Sequence, residues 1–74
     1  MEQDLSAALT LLGDRIRDLR KRLGISQEEL AFRAEIDRTY VSQIERGIGN
    51  PSLAVLLRLS AVLQAPLAKL LRGL

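Results

Sequence analysis

Cysteine and histidine are absent from the 74 residues, and aromatics are reduced to Phe32 and Tyr40. The first absence excludes disulfide staples and thiolate nucleophiles, and the second excludes most zinc sites and every His-dependent triad. Catalysis would have to rest on carboxylates, so an enzyme is not expected, and neither is a cofactor, a metal or a small-molecule ligand. No apolar run approaches the roughly 18 residues of a membrane span, and Glu2 and Asp4 stand where a secretory leader would carry lysines. A soluble, intracellular protein without a membrane partner is the expectation. The length bounds the chain to a single domain over residues 1–74, too short for a large core and inclined to borrow stability from an oligomer partner.

What remains is helix chemistry: 47% of residues are apolar, and 16 of the 74 are leucine. Net charge is only +2, but its distribution is uneven. Residues 1–50 hold 8 bases and 9 acids (net −1), and residues 51–74 hold Arg58, Lys69 and Arg72 with no acid (net +3). That last third is 15 of 24 apolar, more than a small monomer is expected to expose.

The periodicity predicts five short helices and an all-α fold. Leu5, Leu9, Leu12, Ile16, Leu19 and Leu23 draw one stripe along a helix over 5–23, in which Gly13 marks a possible break or fray. Asp14 with Arg17, and Asp18 with Lys21 and Arg22, are spaced as ion pairs along it, and Gly24 ends it. Ser26 and Glu29 read as a capping box for a second helix that buries Leu30, Ala31 and Ala34. Asp37 caps a third, about 38–46, which turns Val41 and Ile44 inward and stops at Gly47. Ser52 caps a fourth, and Pro66 opens a fifth.

Two helices joined by three or four residues, the second polar on its outer side, are the minimum of a helix-turn-helix, here at about 26–46. With 100° per residue, Thr39, Ser42, Gln43 and Arg46 lie opposite Val41 and Ile44, and Arg38 lies at the helix's N-terminal end. Arginine pairs with guanine O6 and N7, glutamine with adenine, and threonine touches a thymine methyl. Arg38, Thr39, Ser42 and Gln43 are therefore candidate base contacts. Gln27, at the start of the second helix, and Tyr40, Arg46 and Asn50, flanking the reading helix, are candidate phosphate contacts. The competing reading of the base-contact set is a solvated helix face.

The string GISQEELAFRAEIDRTYVSQIERG over residues 24–47, followed by PSL, resembles the lambda-repressor-like (Xre/Cro-type) helix-turn-helix family across about residues 12–65. Within it, DRTYVSQIERG looks most like the controller proteins of restriction-modification systems. The resemblance implies a transcriptional regulator that binds a palindromic operator on double-stranded DNA as a homodimer, with the third helix in the major groove. It also implies that Gln27 contacts phosphate and buttresses the reading helix, and that Arg38, Thr39 and Gln43 contact bases. Glu35 departs from the pattern, standing where the family usually has the turn glycine. If that turn needs positive φ, the glutamate costs on the order of 1 kcal/mol.

Other surfaces admit two readings each. Arg15, Arg17, Arg20, Lys21 and Arg22 suggest a nucleic-acid stripe, but Asp14 and Asp18 interleave with them, which favours a solvated, salt-bridged surface. Glu28, Glu29 and Glu35 form a candidate contact for RNA polymerase, although capping accounts for the first two. Phe32 points away from Leu30, as a surface aromatic or a partner contact. The large apolar residues of the last third exceed what a monomer core needs. The expectation is that helices four and five, about 52–73, form a dimer interface through Leu53, Leu56, Leu57, Val62, Leu63, Leu67 and Leu70. The alternatives to a controller protein are a phage-type repressor, or a protein-interaction module such as an antitoxin or enzyme inhibitor that grips its partner with this apolar third.

Overall fold

The structure, a computed structural model, describes residues 4–74, and Glu2 lies outside them. Five helices follow one another: α1 (Leu5–Leu23), α2 (Gln27–Ala34), α3 (Arg38–Glu45), α4 (Leu53–Leu63) and α5 (Leu67–Leu71). The described residues form an all-α fold. No helix among them is long and apolar enough to cross a membrane.

Local chemistry sets the helix ends. Asp4 Oδ1 accepts from the Ser6 N–H at 3.1 Å, Ser26 Oγ from the Glu29 N–H at 3.0 Å, and Ser52 Oγ from the Val55 N–H at 3.2 Å. The capping box is only half formed. Instead of reaching back to Ser26, the Glu29 carboxylate accepts from Arg33 Nε one turn on, at 2.6 Å. Gly24 closes α1 in the left-handed conformation (φ 73°), its N–H directed at the Arg20 and Lys21 carbonyls. Glu35 closes α2 in the same conformation (φ 59°, ψ 44°), so the position where the resemblance expects a turn glycine is left-handed with a side chain present, at a cost of about 1 kcal/mol.

The core is one cluster: Leu12 and Ile16 of α1, Leu30, Ala31 and Ala34 of α2, Val41 and Ile44 of α3, Leu56, Leu59 and Leu63 of α4, and Leu70 of α5. α3 packs against both α1 and α2, α4 against α2 and α1, and α5 against α1 and α4. The α1 stripe is buried at its centre and runs out to exposed Leu5 and Leu23 at the two ends. α1 does not break at Gly13. That residue is buried where the C-terminal end of α3 crosses α1, and a Cβ there would collide with the Ile44 carbonyl oxygen and lie 2.8 Å from that of Glu45. The glycine serves close approach, and its helix-propensity cost is accepted for packing.

The C-terminal leucines correct the expectation of a large apolar surplus. Leu56, Leu63 and Leu70 are inside the monomer, at 8%, 3% and 0% exposure, and cannot face a partner. Val62, Leu67, Leu71 and Leu74 are half-buried against the same cluster. Only Leu53 and Leu57, one turn apart on α4, stay exposed, at 61% and 51%. The core takes more of these residues than expected because α5, only five residues long, folds back onto α1 and α4. Arg15 holds it there: its NH1 donates to the carbonyls of Lys69 (3.2 Å), Leu70 (3.1 Å) and Arg72 (2.6 Å), the groups a helix C-terminus leaves unpaired.

Candidate nucleic-acid interface

α3 turns Val41, Ile44 and Glu45 into the fold and leaves Arg38, Thr39, Gln43 and Arg46 exposed, with Ser42 half-buried at the edge of that face. The structure thus brings together on one helix the four residues expected at base edges, Arg38, Thr39, Ser42 and Gln43. The face is convex. An open cleft of about 300 Å³ lies elsewhere, between α1 and α5, lined by residues such as Leu11, Asp18, Arg22 and Lys69, and shares no residue with α3. An exposed polar helix face suits insertion into a groove about 12 Å wide, whereas a cleft suits a small ligand.

The four residues expected at phosphates are placed differently from one another. Arg46 and Asn50 are exposed at the far end of α3 and in the following loop. Tyr40 is half-buried against the core, and its hydroxyl donates to the Asn50 carbonyl at 3.4 Å, tying α3 to that loop. Gln27 is half-buried at the first turn of α2. One N–H of its amide is already used, donating from Nε2 to Glu45 Oε1 at 3.0 Å, so the side chain braces α3 and has only its remaining amide valences for an anion.

That bond belongs to a network the sequence expectations missed. Arg20 Nε donates to Glu45 Oε2 at 2.6 Å, its NH2 donates to Oε1 at 3.0 Å, and its NH1 donates to the Ile25 carbonyl at 3.0 Å. The pair is two-pronged and desolvated, with side-chain exposures of 11% for Arg20 and 1% for Glu45. The hydrogen bonds that Arg20 donates to Glu45 raise the Arg20 pKa against the opposing effect of burial, which keeps the guanidinium charged throughout the ordinary pH range. Arg20 is therefore not part of a solvated stripe. A signal was present: Glu45 follows Val41 by four residues and so stands on the buried face of α3.

Of the three ion pairs expected along α1, one forms. Asp14 pairs with Arg17 at 2.7 Å on the exposed side, and among the described residues Asp18 joins no ion pair with Lys21 or Arg22. The network and the Gly13 crossing together fix the C-terminal end of α3 on α1. Gly47 (φ 78°) continues the contact, since a Cβ there would lie 3.0 Å from both Cα and Oγ1 of Thr10. The reading face is thus presented by a helix whose inner side is anchored through packing, charge and hydrogen bonds, the kind of rigid support a recognition surface needs.

Comparison with known proteins places this geometry. A helix-turn-helix family profile matches residues 16–70. The control protein C.BamHI of Bacillus amyloliquefaciens is 43% identical over 54 residues, 72% of this chain and 67% of that protein. The HTH-type transcriptional regulator SinR of Bacillus subtilis (strain 168) is 42% identical over 62 residues, 82% of this chain and 56% of SinR, so the chain spans little more than half of that relative. Among solved structures, the restriction-modification controller protein C.AhdI from Aeromonas hydrophila superposes with a TM-score of 0.84 at 44% identity, covering 86% of this chain and 97% of C.AhdI. A SinR structure in complex with DNA superposes with a TM-score of 0.78 at 43% identity, covering 81% and 97% of the two chains.

Proposed function

The chain belongs to the helix-turn-helix family, and we propose that it is a sequence-specific DNA-binding transcriptional regulator of the controller-protein type, acting on restriction-modification genes. The observation that carries this reading is the exposed face of α3, Arg38-Thr39-Ser42-Gln43, held out from the fold by the anchoring of Glu45, Ile44 and Val41. Similarity to C.BamHI and C.AhdI, each described as a control or controller protein, favours this type over a phage-type repressor. Such a regulator has no need of catalysis and meets its operator in the cytoplasm.

Arg38 and Gln43 supply base readout, Thr39 an apolar contact to a thymine methyl, and Ser42 a hydroxyl at the rim. Gln27, Tyr40, Arg46 and Asn50 set the register against phosphates. The active unit is a homodimer formed about the exposed Leu53 and Leu57, with Val62 and Leu67 at its margin. Its two α3 helices stand about 34 Å apart, one DNA turn, so its operator is a near-palindrome. Of the acidic candidates for RNA polymerase, Glu28 and Glu35 are exposed on and just after α2, and Glu29 is half-buried and paired with Arg33.

Replacing single residues of the α3 face tests the assignment. Arg38→Ala is expected to cost about 1 to 3 kcal/mol on the cognate operator and to relax preference at one base pair. Gln27→Ala should weaken cognate and scrambled DNA alike, because phosphates carry no sequence. Equilibrium titrations against both duplexes separate the two effects. Equal losses on both duplexes for Arg38→Ala would remove it from base readout.

A further inference from the structure

The open cleft of about 300 Å³ between α1 and α5 takes no part in the reading face, and its two walls carry opposite charge. Asp14 and Asp18 line it from α1, and Lys69 and Arg72 line it from α5 and the residue that ends it. Among the described residues Asp18, Lys69 and Arg72 join no ion pair, and Asp14 is committed to Arg17. The remaining charges thus stand on either side of a gap without meeting. Leu11, Arg15 and Leu19 follow one another at four-residue steps on the side of α1 that lines the same cleft, an apolar, a cationic and an apolar group in turn.

Arg15 is the second observation. Its NH1 is taken up by the three carbonyls at the end of α5, but its NH2 and Nε have no protein partner among the described residues. The residue is half-buried, and no buried side-chain nitrogen lacks a partner, so these N–H groups open to solvent where Arg15 lines the cleft. A guanidinium with free donors on an inner position, flanked by Lys69 and Arg72, is suited to a carboxylate. Asp18 on the opposite wall is suited to an ammonium group, and Leu11 and Leu19 to an apolar body. DNA fits the cleft badly, because the α1 acids repel phosphates, and so does a second copy, since a two-fold contact centred here would set one concave surface against another. The volume is at the small end of ligand pockets. We propose that the α1–α5 cleft binds a free α-amino acid with an apolar side chain, its carboxylate on Arg15 and Lys69 and its ammonium on Asp18. This departs from the expectation, drawn from composition, that no small molecule binds.

The test is isothermal titration of the wild-type protein, Asp18→Asn and Lys69→Gln with three probes: L-leucine, isocaproate, which lacks the ammonium, and isoamylamine, which lacks the carboxylate. Wild type should bind leucine about ten-fold or more tighter than isoamylamine, which forfeits the charged hydrogen bonds to Arg15 and Lys69. It should prefer leucine to isocaproate by about three- to five-fold, the smaller figure reflecting the exposure of Asp18. Asp18→Asn should abolish that second preference and still bind isocaproate, whereas Lys69→Gln should weaken leucine and isocaproate alike. Both substitutions are at exposed positions and should leave the thermal midpoint of the unliganded protein unchanged. Absence of saturable leucine binding in the millimolar range, where so small a ligand is expected to bind, would overturn the proposal. So would leucine binding that neither variant alters, which would place it elsewhere, and equal wild-type affinity for leucine and isocaproate, which would leave a site for anions alone.

Discussion

Glu45→Ala is expected to lower folding stability by about 3 to 5 kcal/mol, the usual consequence of leaving a desolvated partner charge uncompensated. The Glu45 carboxylate is 1% exposed and accepts from Arg20 twice and from Gln27 once. Its removal strands the Arg20 guanidinium, itself 11% exposed, and releases the brace from α2. Urea or thermal unfolding reads the loss directly. The companion variant Arg20→Met with Glu45→Leu should lose much less than the sum of the single losses, because apolar replacement of a buried pair is often close to neutral. By contrast, Arg33→Ala, which breaks the exposed pair with Glu29, should cost no more than about 1 kcal/mol. A small loss for Glu45→Ala would mean that α3 is not anchored by charge.

Gly13→Ala is the second large effect, and its sign opposes helix propensity. An alanine in the middle of a helix ordinarily gains about 1 kcal/mol over glycine. Here the new methyl would meet the carbonyl oxygens of Ile44 and Glu45, which are backbone atoms and move only if α3 moves. A loss of about 3 kcal/mol is expected, at the upper end of what overpacking costs. Because the displaced element carries the reading face, affinity for the operator should fall even where the variant remains folded. Thermal unfolding together with a titration under folded conditions distinguishes this from a gain in stability, which would place Gly13 on an open face of α1.

Most of the architecture was legible from spacing and caps. Ser26, Gly24 and Ser52 mark helix ends through local hydrogen bonds and backbone conformation, and such signals do not depend on the rest of the fold. The outward face of α3 was legible for a similar reason, since Val41 and Ile44 fix which side is buried. What was missed depends on contacts between elements far apart in the chain. Gly13 carries no local sign that α3 will cross it, so its glycine reads as weakness when it is a packing site. Arg20 and Glu45 are 25 positions apart, and nothing local to Arg20 distinguishes it from the solvated arginines around it. Leu56, Leu63 and Leu70 looked like surplus because the folding back of α5, and the three carbonyls held by Arg15, cannot be read from hydrophobic count. Glu35 is instructive in the other direction: the departure from the family's glycine was legible while the conformation of the turn was left open, and the backbone takes positive φ despite the side chain.

The most direct test of the account is selection from a random duplex DNA library with the purified wild-type protein, read by sequencing, at 50 and 200 mM salt. If the protein is a dimeric reader that neutralises about six to eight phosphates, a near-palindrome with half-sites one DNA turn apart should be enriched, and affinity should fall by roughly three or four decades between the two conditions. An absence of any enriched sequence, or an affinity indifferent to salt, would contradict the assignment of α3 as a DNA-reading helix.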